Sequence, residues 1–144
     1  MQVSGLCSSK RRAESTRSVL STISWLLGVA LTAVMGLIHL RLWLDGYRQI
    51  PIIGPLFMLN VVLSGVLVAG LLVAPARLRS AAAIITALFT AGTLAGLITS
   101  LTIGLFGMQE LLQAPLVVPT LIVEPVGVLV LVTAALLDRG RRSQ

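Results

Sequence analysis

The sequence has few of the residues that keep a soluble domain in solution. Charged residues make up 11% of the chain and hydrophobic residues 56%, whereas soluble domains carry about 25% charged residues. Mean hydropathy is +1.00. So little polar surface cannot cover a water-soluble globule of 144 residues. The composition excludes a soluble domain, a disordered chain and a collagen-like fibre, and it indicates an integral membrane protein.

Cysteine and histidine are also scarce, with one of each, Cys7 and His39. A single cysteine excludes an internal disulfide, and a single histidine excludes a bis-histidine haem within one chain. Zinc-protease, serine-hydrolase, phosphate-loop and paired-cysteine motifs are lacking, as is a basic stripe with interleaved aromatics. The sequence therefore predicts a non-enzymatic protein without cofactor or metal, whose partners do not include nucleic acid.

Four stretches with almost no charge are each long enough for a transmembrane helix, which needs about 20 residues. The predicted spans are 19–42, 56–74, 80–104 and 116–137. Residues 1–18 and 138–144 are basic and are predicted as tails, the first of them flexible because it is rich in serine. We therefore predict an all-α, four-helix transmembrane bundle over residues 19–137.

The distribution of lysine and arginine predicts the orientation of the spans. Four lie in the first tail, two between spans two and three, and three in the last tail: Lys10, Arg11, Arg12, Arg17, Arg77, Arg79, Arg139, Arg141 and Arg142. The opposite ends of the spans carry Arg41 and Arg48. Because basic residues concentrate on the cytoplasmic side, both termini are predicted to be cytoplasmic.

Small residues recur at helical spacing in two of the spans. They are Gly28 and Gly36 in span one, and Gly92, Gly96 and Ser100 in span three. Small ridges allow helix backbones to approach closely in lipid. We therefore expect spans one and three to make the central contacts, or one ridge to face a second copy. The short connection 75–79 predicts an antiparallel hairpin of spans two and three.

The segment after span one is rich in aromatic and charged residues. The candidate interface residues are Arg41, Trp43, Asp45, Tyr47 and Arg48. Arg41 and Asp45 stand four apart and can pair, and His39, Trp43 and Tyr47 share a face if the helix continues. Two interpretations stay open: an anchor at the membrane interface, or a lipid or quinone head-group site of His39, Arg41 and Trp43.

Glu124 is an ionisable residue inside span four, where a charge costs about 2.5–3.5 kcal/mol at mid-membrane. Pro125 follows it and deprives the carbonyl of Leu121 of its helical partner, and Pro119 is predicted to do the same for Pro115. A protonated Glu124 can donate to such a carbonyl. The sequence therefore predicts a carboxyl group beside unpaired backbone oxygens.

Four polar residues from the four spans fall at similar depth, at a rise of about 1.5 Å per residue. They are His39, Asn60, Thr99 and Glu124. This predicted cluster has three interpretations: a hydrogen-bonded plug, a proton- or cation-linked site, or a head-group site. The corresponding functions are an accessory or assembly subunit of a larger membrane complex, a small homo-oligomeric transporter or channel that uses Glu124, and a lipid- or quinone-binding protein. The first of these is the main prediction.

The stretch from His39 to Asn60, HLRLWLDGYRQIPIIGPLFMLN, resembles a segment of small uncharacterised four-span membrane proteins of actinobacteria. The resemblance covers about the first half of the chain. It rests on His39, Trp43, Gly46, Tyr47, Arg48, Pro51, Gly54 and Asn60. It implies a four-helix membrane fold and a bacterial inner membrane, and it implies no reaction.

Overall fold

A computed structural model describes the backbone of residues 3–142 and the side chains of residues 15–140. The chain forms four long helices: α1 Val3–Leu44, α2 Ile53–Val73, α3 Arg79–Thr102 and α4 Val117–Arg142. Short 3-10 helices, Tyr47–Gln49 and Ala76–Leu78, lie in the first two connections. The part of the chain that the structure describes has no β-strand, only an isolated bridge in the α3–α4 connection. The predicted all-α fold is confirmed.

Each long helix forms all or most of a stretch that is long and apolar enough to cross a membrane. These stretches are Ser15–Leu44, Ile53–Val73, Ala76–Thr102 and Val117–Gly140. They agree closely with the four predicted spans, because length and hydropathy are local properties that can be read from the sequence. The prediction of four helices of transmembrane length is confirmed.

The predicted N-terminal tail is helical for most of its length, since α1 begins at Val3 rather than near residue 19. Residues 10–14 are Lys, Arg, Arg, Ala and Glu, all of which favour helix. They continue the helix of the adjoining apolar span at little cost, because adding residues to an existing helix is easier than starting one. The apolar stretch itself begins at Ser15.

Helix α4 is the central element of the bundle. It packs along α3 and α1, and α1 also packs along α2, whereas α1 and α3 barely touch. The prediction that spans one and three make the central contacts is therefore wrong. Helices α2 and α3 are joined by the short connection on which the predicted hairpin rests, and they make only slight contact with each other. The buried core explains this packing, because Ala83 and Ala87 of α3 lie against Leu131 and Ala135 of α4.

The glycines of α1 are packing positions, as their spacing predicted. A Cβ atom on Gly28 would lie 2.7 Å from the side chain of Leu131 in α4. A Cβ atom on Gly36 would lie 2.8 Å from the Cβ of Ser64 in α2. These two glycines therefore let α1 approach both neighbouring helices closely.

The two ends of the bundle differ in what they carry. We call the end formed by the α1–α2 and α3–α4 connections the distal end, and the end formed by both chain ends and the α2–α3 connection the proximal end. At the proximal end, the Arg79 guanidinium lies 5.6 Å from the centre of the Trp25 ring. There, Ser80 also accepts a 2.9 Å hydrogen bond from Arg139. These contacts join α1, α3 and α4 where α2 and α3 are connected.

Candidate binding site

A cavity of about 410 Å³ lies between α2 and α3 in the distal half of the bundle. Its walls are largely apolar, with leucine and phenylalanine side chains from α2 and α3. Residues of α1 and α4 form the back of the cavity, and the α3–α4 connection covers it distally. Its volume falls within the range of about 300–1,000 Å³ that is typical of small-molecule sites.

The cavity opens sideways, between α2 and α3. Leu56, Leu59 and Leu63 line it and are also 40%, 51% and 36% exposed at the surface of the bundle. All three belong to the transmembrane-length stretch of α2. In a bilayer this opening faces the hydrocarbon layer, so a lipid-soluble molecule can reach the cavity without crossing water.

Glu124 is the buried acid of this cavity. It lines the back wall and is 1% exposed, and neither of its carboxyl oxygens has a hydrogen-bond partner. The predicted hydrogen bond to the carbonyl of Leu121 is therefore not formed, although Pro125 lies inside α4 as expected. Pro119 lies in the first turn of α4, where a missing N–H costs no helical bond. Pro115 precedes the helix, so the prediction for its carbonyl is wrong.

Two threonines beside Glu124 donate no hydrogen bond to its carboxyl group. The Thr93 hydroxyl lies close to the carboxyl, but it donates to the Thr90 carbonyl at 2.8 Å. The Thr120 hydroxyl donates to the Leu116 carbonyl at 2.7 Å. A threonine has one hydroxyl proton. Neither carboxyl oxygen therefore receives a hydrogen bond from these threonines.

The structure places His39 and Asn60 on the wall of the same cavity as Glu124. His39 Nδ1 lies 2.9 Å from the carbonyl oxygen of Met35. Asn60 is 6% exposed, and its side-chain oxygen accepts a 3.1 Å hydrogen bond from Ser64. Three of the four residues of the predicted cluster therefore line one space, without a hydrogen bond between them.

The fourth residue, Thr99, lies elsewhere. Its hydroxyl donates to the carbonyl of Ala95 within α3 at 2.8 Å, and it does not line the cavity. Ser100 lines the cavity in its place and is buried, and its hydroxyl has no partner. Ser100 is the next residue along α3, and one residue turns a helix by about 100°. The small-residue spacing predicts a helix-packing role for Ser100 instead.

Gly92 and Gly96 do not pack against a helix. No atom lies within 4 Å of a Cβ built on either residue, and both line the cavity. The missing side chains leave room between α2 and α3 where a close helix contact was expected. The small-residue ridge of α3 therefore forms part of a cavity wall.

Tyr47 and Glu110 join the two distal connections next to the cavity. The Tyr47 hydroxyl donates a 2.7 Å hydrogen bond to Glu110 Oε2, and the Tyr47 ring stacks on Phe57 with centroids 4.9 Å apart. Burial raises the pKa of Tyr47, and the hydrogen bond to Glu110 and its nearby charge raise it further. Glu110 is the one charged residue between Arg79 and Glu124, and this isolation is the sequence signal that could have marked it as a site residue.

The remaining interface candidates contact one another rather than the cavity. Arg41 and Asp45 form the expected ion pair at 3.0 Å, with side chains 68% and 41% exposed. The Arg48 guanidinium lies 5.9 Å from the centre of the Trp43 ring. None of these four residues lines the cavity. A head-group site of His39, Arg41 and Trp43 is therefore not assembled, because His39 alone faces inward.

The fold and the site define an all-helical bundle of membrane type with a laterally open cavity and a buried, unpartnered carboxyl group. Among the residues whose side chains are described, no group of three His, Cys, Asp or Glu residues is placed to hold a metal ion. No protein-family model matches the chain, and no match was found among curated proteins or solved structures.

Proposed function

We propose that this protein is a multi-pass membrane protein that binds a lipid-soluble small molecule in the cavity between α2 and α3. One observation carries the proposal: Glu124 is 1% exposed, lacks any partner and faces a space of ligand size. Buried polar groups are almost always hydrogen-bonded in native proteins. A carboxyl group left without a partner beside a cavity favours a partner that arrives from outside.

The proposed function is a form of the predicted lipid- or quinone-binding function. Its polar centre is Glu124, whereas the head-group site predicted from the sequence lies at His39, Arg41 and Trp43. The basic and aromatic residues Arg41 and Trp43 lie outside the cavity, whereas Glu124 lies within it. We propose binding rather than catalysis, since the sequence lacks a catalytic motif. Transport that uses Glu124 would require the same binding step and stays a prediction.

We further propose that the protein lies in a bacterial cytoplasmic membrane with both chain ends in the cytoplasm. Nine of the eleven basic residues belong to the proximal end or the adjoining tails. A membrane-impermeant thiol reagent should label the single cysteine, Cys7, only after the cells are lysed. Labelling in intact cells would place the N-terminus outside and contradict this orientation.

The binding function is tested by photolabelling of the purified protein in lipid nanodiscs. The probe is a long-chain alcohol that carries a diazirine. We expect labelling of α2 and α3 peptides around Leu59 and Phe89, both of which line the cavity. This labelling should saturate and should be displaced by unlabelled decanol, unlike labelling of the outer surface by probe dissolved in the lipid.

A matched pair of variants locates the labelled site. Gly96→Leu should remove the saturable labelling, because the new side chain enters the open space of the cavity. Gly70→Leu adds the same side chain to α2 at a position with no atom within 4 Å and outside the cavity, so the labelling should persist. Labelling that never saturates, or that survives Gly96→Leu unchanged, would overturn the proposed function.

A second candidate is the accessory subunit, in which a helix of a partner protein lies against α3. The open space over Gly92 and Gly96 favours it, because small residues without an internal neighbour can accept a helix from another chain. The two functions differ in their response to substitution. Glu124→Gln should leave partner co-purification intact while Gly96→Leu disrupts it. Ligand binding should instead be lost in Gly96→Leu and altered in its selectivity in Glu124→Gln.

A further inference from the structure

We infer that the ligand of this cavity is an amphipathic protonated amine, whose ammonium group lies against Glu124 and whose apolar part lies between α2 and α3. The inference rests on the proposed binding function and adds the chemical class of the ligand. Three features of the cavity carry it: an excess of hydrogen-bond acceptors, a lack of cations, and an apolar opening beside a polar back wall.

The back wall of the cavity presents acceptors that lack donors. Both oxygens of Glu124 are unpartnered, and the hydroxyl protons of Thr93 and Thr120 are already given to helix carbonyls. The Met35 carbonyl can only accept, so His39 Nδ1 is the donor in their contact and Nε2 of the neutral ring is a further acceptor. A ligand group with several N–H donors satisfies this wall.

Charge favours the same class of ligand. Neither lysine nor arginine lines the cavity in the described part of the chain, while Glu124 and Glu110 both do. A buried carboxylate is costly unless a cation accompanies it. An ammonium group supplies the positive charge and up to three N–H donors at once. An anionic head group would instead meet two carboxyl groups.

A quinone or another uncharged carbonyl ligand fits less well, because it can accept from the wall but supplies no positive charge to the Glu124 carboxylate. Asn60 and Ser100 are the donors that the wall retains: Ser100 has an unpartnered hydroxyl, and the oxygen of Asn60 is occupied by Ser64. Arg41 and Arg48, the basic residues at the distal end, do not line the cavity.

The apolar surroundings fix the direction in which an amphipathic ligand lies. Leu59 marks the opening at the surface of the bundle, whereas Glu124 is fully buried at the back. Phe57 and Phe89 line the cavity as well, and aromatic rings attract ammonium groups as well as hydrocarbon. The ammonium group therefore points inward and the hydrocarbon part points towards the lipid.

The test uses competition against the photoreactive alcohol in wild-type protein and in Glu124→Gln. Decylamine, which is protonated near neutral pH, should displace the label from wild type at a concentration at least about tenfold below that of decanol. In Glu124→Gln the two competitors should become similar, because the amide keeps the shape and loses the charge. Comparison of each competitor between wild type and Glu124→Gln, in nanodiscs of the same lipid, cancels its partition into lipid.

A second measurement, infrared difference spectroscopy, detects the carboxyl group directly in the wild-type protein. Infrared difference spectra of wild type should show that decylamine converts a carboxylic acid band into carboxylate bands or shifts a carboxylate band, and the change should be lost in Glu124→Gln. If labelling is saturable but decylamine displaces it no better than decanol, the ligand class is wrong and the binding function stands. If no labelling is saturable, both proposals fail.

Discussion

Glu124→Leu is expected to raise the thermal stability of the protein while it abolishes amine binding. The free protein holds a carboxyl group that is 1% exposed and has no hydrogen-bond partner. Leaving a buried polar group unsatisfied costs about 1–3 kcal/mol, and leucine at the same place removes that cost. The free energy of unfolding should therefore rise by a similar amount.

The measurement is thermal unfolding of both proteins in the same detergent, without added ligand. Glu110→Leu serves as the comparison, because Glu110 accepts a 2.7 Å hydrogen bond from Tyr47 and its loss should lower stability. Two glutamate substitutions of the same kind are thus expected to act in opposite directions. A lower melting temperature for Glu124→Leu would mean that the carboxyl group stabilises the free protein, which would remove the observation behind the binding proposal.

Opposite changes in stability and binding are typical of a functional residue. Natural sequences keep groups that destabilise the free fold where those groups serve binding. If Glu124→Leu gains stability but binds decylamine as wild type does, the carboxyl group is not the recognition point. The same pair of assays therefore separates a structural defect from a binding group.

Gly54→Ala is expected to lower the free energy of unfolding by about 1–3 kcal/mol, the usual cost of overpacking. A Cβ atom on Gly54 would lie 2.8 Å from the Arg48 carbonyl oxygen and 3.0 Å from its Cα. These are backbone atoms of a turn that is closed by a 2.9 Å hydrogen bond from the Gly54 N–H to the Ile50 carbonyl. The new methyl group cannot be accommodated by a side-chain rotation.

The control is Gly70→Ala in the same helix. No atom lies within 4 Å of a Cβ on Gly70, and alanine is a better helix former than glycine by about 1 kcal/mol. Gly70→Ala should therefore leave stability unchanged or raise it, in the same thermal unfolding assay. Equal effects of the two substitutions would show that α2 does not approach Arg48 as closely as the structure indicates.

Displacement of the Arg48 turn also has a consequence for the cavity. Tyr47 precedes Arg48 and donates a hydrogen bond to Glu110, which lines the cavity. Gly54→Ala should therefore weaken the contact between Tyr47 and Glu110 that joins the two distal connections. The bound probe should then leave the cavity faster, even in the fraction of protein that stays folded. Faster dissociation of the probe without loss of saturable labelling is the expected pattern.

Several features of the candidate site could be predicted from the sequence in part. Glu124 stood out because a charge inside an apolar span is costly, and His39 and Asn60 could be placed near its depth by counting residues along helices. Thr99 does not line the cavity, whereas the next residue, Ser100, does. Height follows from counting, whereas the rotation of each helix depends on its neighbours.

The sequence by itself determined the class of the fold, the number of long helices and their approximate ends, because hydropathy and helix length depend on nearby residues alone. Only the tertiary structure decided which helices touch. It placed α4 at the centre, left Gly92 and Gly96 beside open space, and joined Tyr47 to Glu110 across 63 residues of sequence. In an apolar bundle nearly every face is hydrophobic, so hydropathy does not distinguish a buried face from one that meets lipid. Packing between side chains makes that choice, and it produced the cavity beside Glu124.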